Sequence, residues 1–161
     1  MVIETPSESW RSERLWVGTW RNLVIQCWDT AAKTDDLEAA TRVVLDHAKR
    51  FPDGVVTLAF LRANGVPSMG DAERKRAAEL LQTSTSSMRV GVQVVEGTGF
   101  VASFLRSVIA GLSRFSKAPM RVFATQSEAV QFIIDHRHTT ATLADLTRAV
   151  DDVHARWRRP S

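Results

Sequence analysis

The sequence has a single cysteine, Cys27, set inside the apolar run LVIQCW. One thiol excludes an internal disulfide, and with it the stapled frameworks of small secreted domains. No apolar run approaches the roughly 20 residues that a membrane-spanning helix needs. The opening residues MVIETPSESW carry early acids and lack the basic-then-apolar order of a secretory signal. The expectation is therefore a cytoplasmic protein with no membrane partner. Basic residues are scattered, apart from Arg156, Arg158 and Arg159 at the end, and the formal net charge is only +3. Such a balance gives no reason to expect a nucleic-acid partner. Internal repeats and low-complexity segments are also missing.

What is present is ordinary globular material, with 44% hydrophobic and 24% charged residues in 161. That length fits one domain able to bury a core unaided. Residues 1–13 are polar and read as a loose lead-in. The β-branched and aromatic residues of LWVGTWRNLVIQCWD predict a hairpin, with strands over 15–19 and 23–28. Thr34 reads as the N-cap of an amphipathic helix over 35–51, in which Leu37, Ala40, Val44 and Ala48 recur at helical spacing. VVTLAFL, residues 55–61, is apolar throughout, as in a strand covered on both faces. A helix over 71–83, a valine-rich strand from RVGVQVVEG, a helix from TGFVASFLRSVIAGLSRF and a short strand from MRVFAT follow. SEAVQFIIDHR and TLADLTRAVDDVHARW supply two more helices. The predicted class is a small α/β sandwich with a mixed, mostly parallel five-stranded sheet, four helices and an extra C-terminal helix. Strands alternating with helices impose the crossovers that make neighbouring strands parallel.

The order of elements over about residues 14–136 resembles the STAS domain, the fold of the anti-sigma-factor antagonists. The residues that carry the likeness are VVEGTGF closing a strand, ASFLRSVIAGL on a helix, and RVFATQSEAVQFI, with Val122 and Phe123 followed by Ser127, Glu128, Ala129 and Phe132. The resemblance implies a STAS-like domain over 14–136, and residues 137–161 then form a C-terminal amphipathic helix and basic tail. It also implies a non-enzymatic interaction module in a bacterial-type regulatory assembly, with a protein partner. Regulatory members carry a phosphorylated serine or threonine at the turn after the third strand, in an Asp-Ser-Ser/Thr-Gly context. The matching turn here is GVPSMGD, in which Ser68 is the positional counterpart and Pro67 stands where the family has aspartate.

Each candidate position has two readings. Ser68, with Asp71 and Arg74 beyond it, is either a phosphoacceptor and partner contact or part of turn and cap chemistry ahead of a helix. No nucleophile elbow surrounds the serine, so no catalytic residue is assigned and the chain is not expected to be an enzyme. The turn EGTGF offers Gly97, Thr98 and Gly99 as an anion-binding loop at a helix start, or Thr98 as a plain cap. It lacks the lysine of a phosphate-binding loop, and no cofactor is expected. His136 and His138 have a metal-pair spacing, but no cysteine or carboxylate cluster completes it, so no metal is assigned. Trp16, Trp20 and Trp28 cluster around the hairpin, in the core or on a contact face. Leu143, Leu146, Val150, Val153 and Trp157 form one stripe on the last helix, for packing within the chain or for a homodimer contact. Three functional classes stay open: the interaction module, a small anionic-ligand binding protein or enzyme using Glu96–Phe100, and a self-assembling structural module.

Overall fold

Alternation of apolar side chains along the strands sets the layers of this chain. The computed structural model describes residues 3–29, 33–62 and 70–158. Its strands are β1 (Ser7–Arg11), β2 (Leu15–Trp20), β3 (Leu23–Trp28), β4 (Val55–Leu61), β5 (Met88–Val95) and β6 (Met120–Phe123). The helices are α1 (Thr34–Ala48), α2 (Asp71–Thr85), α3 (Phe100–Leu112), α4 (Gln126–Asp135) and α5 (Leu143–Trp157), with a short 3-10 turn at Ser113–Phe115. All six strands share one sheet in sequence order; β1, β2 and β3 are antiparallel, and β3 to β6 run parallel. The class is α/β, as the sequence indicates.

The strand count differs from expectation. Ser7–Arg11, in the segment read as a loose lead-in, pairs with β2 and makes a sixth strand. Its sequence SESWR has no apolar alternation, because its side chains are mostly exposed at a sheet edge. The ladder to β2 and the bond from the Trp16 indole N–H to the Glu8 carboxylate, 2.6 Å, hold it instead. The helices number five α-helices plus the 3-10 turn among the described residues, against four and a C-terminal addition. Thr34 is the first residue of α1 rather than its cap: Lys33 holds that place and its side chain makes no cap bond. Thr125 and Thr142 do cap, each accepting the N–H three residues on, from Glu128 at 3.2 Å and Asp145 at 3.1 Å.

Strand order and handedness decide where the helices lie. Each parallel step from β3 to β6 goes the same way across the sheet, so right-handed crossovers put α1, α2 and α3 on one face. The two helices after β6 take the other. Packing agrees: Ile25, Val56, Leu58, Phe60, Val90, Val92 and Val94 form one core with Ile133 of α4 and Leu146, Val150 and Val153 of α5. The opposite rows, Leu15, Val17, Val24, Val55 and Ala59, pack against Ala40 and Val44 of α1. Val95 packs with Ala102, Leu105 and Ile109 of α3.

The hairpin between β2 and β3 turns on Arg21 and Asn22, with Arg21 at φ 50. Both faces grip that turn. His47 of α1 bonds through Nε2 to the Arg21 carbonyl at 2.6 Å, and the Asn22 amide donates to the His138 carbonyl at 2.8 Å. The start of α1 is tied down separately. Buried Asp36 accepts from Arg14 Nε at 2.8 Å and from the Ser12 hydroxyl at 2.7 Å.

On α5, Leu146, Val150 and Val153 are fully buried in the chain's own core. They have no surface to offer a second subunit, whereas Leu143 is exposed and Trp157 lies under the guanidinium of Arg62 at 3.6 Å. Leu146→Ala should cost about 2–5 kcal/mol. Urea unfolding measures this, and a lost dimer with an unchanged midpoint would instead put Leu146 at an interface.

Candidate functional site

The two faces of β4 and β5 are built from different residues. Toward α4 and α5 these strands present Val56, Leu58, Phe60, Val90, Val92 and Val94. Toward α1–α3 their middle positions are Thr57, Ala59, Gly91 and Gln93, which are small or polar, while Val55, Leu61 and Val95 stand at the ends. Bulky side chains close the first face. On the second, α1, α2 and α3 bridge over the short ones and a cavity of about 210 Å³ remains. A core packed at ordinary density has few voids larger than a water molecule.

The cavity wall is apolar: Leu37 and Val44 from α1, Leu80 and Leu81 from α2, Phe104 and Ile109 from α3. Its floor is the sheet, where Gln26, Ala59 and Gln93 stand in one row on β3, β4 and β5. Thr57 lies in the next row, beside Gly91, whose missing side chain makes room for Met120. Polar groups on the helices are engaged locally: Thr41 donates to the Leu37 carbonyl at 2.9 Å, Ser84 to Leu81 at 3.5 Å and Ser113 to Ala110 at 2.6 Å. Gln26, which lines the cavity, accepts the Trp28 indole N–H through Oε1 at 2.8 Å, and its amino group makes no hydrogen bond among the described residues. The side chains of Thr57 and Gln93 make no hydrogen bond among the described residues. Asp29, Arg62 and Arg74 also line the cavity; Asp29 and Arg62 follow β3 and β4, at the strand ends where open α/β sheets hold ligands.

A second concavity runs along the outside of α2 and α3. Arg74, Lys75, Ala78 and Gln82 of α2 line one side, and Phe104, Val108, Leu112 and Phe115 the other. No acid occurs between Glu96 and Glu128, while Arg106, Arg114, Lys117 and Arg121 do. Phe100 is 81% exposed and Phe115 43%. Arg74 and Lys75 have no ion-pair partner among the described residues. Arg76, the third cation of that run, is engaged, with Glu38 of α1 at 2.9 Å and Glu79 at 3.2 Å.

Ser68 lies outside the described residues. Gly70, not Asp71, is the N-cap of α2, and Asp71 contributes its charge as the first helical residue. Gly97, Thr98 and Gly99 form an exposed turn with Gly97 at φ 104 and Gly99 at φ 95. Thr98 does not cap α3: Gly99 holds that place, and no side chain bonds there. Arg106 donates to the Val95 and Gly97 carbonyls, each at 2.9 Å, so it braces the turn from behind.

The other candidates divide by burial. Burial pushes the Cys27 thiol up to about 12, which keeps it protonated and unreactive. His136 and His138 stack with centroids 6.0 Å apart beside Phe132. No group of three or more His, Cys, Asp or Glu converges to hold a metal among the described residues. Among them, too, no helix is long and apolar enough to cross a membrane. The cavity has no motif in sequence, although the small residues at alternate positions of β4 and β5 were its signal. Comparison with known proteins found no matching family model, no matching curated protein and no matching solved structure.

Gly99 combines φ 95 with ψ −173, a region open to glycine alone, yet an added Cβ there would meet no atom within 4 Å. Gly99→Ala should therefore cost about 1–3 kcal/mol from backbone strain alone; an unchanged melting temperature would count against this conformation. Burial also lowers His47, His138 and His154 below the ordinary 6.5. The unfolded chain then takes up more protons than the folded one just below 6.5, so stability is full above that value and lost as pH falls through it. Urea midpoints should drop between about pH 7.5 and about pH 5.5, and drop less in His154→Leu. Equal pH dependence in the variant would exclude His154 as a source.

Proposed function

We propose that the chain is a non-enzymatic, STAS-like interaction module of a bacterial-type regulatory assembly, and that it docks its partner on the α2–α3 face. The observation that carries this reading is the groove between those helices. One wall offers Arg74 and Lys75, which have no ion-pair partner among the described residues, beside Glu79, which is engaged by Arg76, and the other an apolar stripe of Phe104, Val108, Leu112 and Phe115. An amphipathic helix with acids along one edge complements both walls: apolar anchors enter the groove while carboxylates meet the cations at its rim. The hairpin followed by parallel crossover units supports the STAS-like part of the reading.

Ser68 belongs to the same proposal as its switch. It precedes α2 by three residues in sequence, and a phosphate there would compete for the cations that attract an acidic partner. Capture from the native cell extract tests the reading. Wild type and Ser68→Ala should retain a partner that elutes as salt rises, while Ser68→Asp weakens capture. Arg74→Glu with Lys75→Glu should weaken it by about tenfold or more. Undiminished capture by the doubly reversed variant would remove the α2–α3 groove as the docking face.

A further inference from the structure

The cavity beneath α1–α3 supports a second role, on the sheet side of the helices whose outer side forms the docking face. We infer that it binds an uncharged heterocycle with a lactam edge, that is, an N–H donor adjacent to a C=O acceptor.

The floor sets this chemistry. Gln26 and Gln93 occupy one row, separated by Ala59 on the strand between them. Two strand spacings put their backbones roughly 9.5 Å apart. Long carboxamides therefore rise on either side of a position filled only by a methyl group. The slot is narrow, walled by amides and covered by apolar helix surface. A flat ring suits a space between two amides over a methyl-sized floor. An engineered cavity of about 150 Å³ is known to admit benzene. At about 210 Å³, this one has room for a fused bicycle.

Hydrogen bonding narrows the class further. A primary carboxamide presents a donor and an acceptor side by side, and a lactam presents the complementary pair. The Gln93 carboxamide has both groups unengaged among the described residues. Gln26, its oxygen already accepting from the Trp28 indole, has its amino group left to donate. The Thr57 hydroxyl adds a third contact from the neighbouring row. Nothing on this part of the floor is charged. An anion or a cation seated there would lose its hydration with no counter-charge to replace it, so the bound ring is neutral. Asp29, Arg62 and Arg74 line the cavity apart from this floor and leave room for a polar substituent at their end.

The test uses the full chain and three related probes: 2-quinolone, its N-methyl derivative, and quinoline. The first has the complete lactam edge, the second lacks its donor, and the third has no carbonyl. Isothermal titration should show 2-quinolone binding at least about tenfold tighter than either relative, as the loss of a hydrogen-bonded pair in a buried site implies. Gln93→Met, close in volume, should abolish that advantage and leave quinoline binding unchanged. Ala59→Phe, which fills the slot, should remove binding of all three while circular dichroism shows the native fold. Equal affinity for the three probes, or no binding of 2-quinolone to wild type, would overturn the proposal. So would a 2-quinolone preference that survives Gln93→Met. Because Gln93 and Ala59 are not on the docking groove, partner capture by both variants separates this inference from the interaction reading.

Discussion

Sheet order is the constraint on which the rest of this structure depends. Strands laid down in sequence, with three crossovers of one hand, force α1, α2 and α3 onto a single face. Only the two helices after the last strand are free to cover the other. Two helices with fully buried stripes can seal a face made of valine, leucine and phenylalanine, and α4 and α5 do so. Three helices arriving in parallel from successive strands meet over the middle of the sheet. Small and polar residues beneath them leave space where the three converge. The cavity and the groove on its roof follow from one topological fact, and α3, with Phe104 and Leu112 lining both, belongs to each.

Local tethers hold the first crossover to the hairpin. A carboxylate as buried as Asp36 is tolerated because Arg14 and Ser12 satisfy it, and removing one partner would leave a costly isolated charge. The bond fixes where α1 begins, which in turn fixes how Leu37 and Val44 stand over the sheet. At its other end α1 is held by His47 against the hairpin carbonyl. The wall of the cavity that α1 provides is thus anchored at both ends by polar contacts with the turns before and after β2. By contrast, α3 begins at a glycine without a side-chain cap and is braced through Arg106.

Most of the architecture was legible because periodicity is written in side chains. The hairpin, the central strands and the helices announced themselves by alternation and by 3.6-residue spacing. The edge strand did not, since SESWR pairs through its backbone and buries little. Thr34 carried the signature of a cap, but the chain needed Asp36 inward, and the helix starts one residue earlier than a Thr34 cap would set it. The stripe on α5 was readable as a stripe; what it touches was not, because an apolar face looks the same whether its own sheet or another subunit covers it. The cavity was the least legible feature. It arises from Gln26, Ala59 and Gln93 standing in register across three strands that are far apart in sequence, and no local window contains all three.

Sequential strand order also bears on how the chain assembles. Every strand pairs with the one before it, so no ladder must wait for a distant segment, and each new strand meets an edge that already exists. Growth can proceed outward from the hairpin in the direction of synthesis, with loop-closure entropy kept small at each step. The exception is the end of α5. Arg156 donates to the Pro6 carbonyl, and Arg11 to the Arg156 carbonyl, joining residues about 150 positions apart. That contact ties the end of α5 back to β1. To the ladder that already holds β1 on β2 it adds a clasp that closes only when α5 is in place, so the edge of the sheet is sealed from outside as well as paired from within.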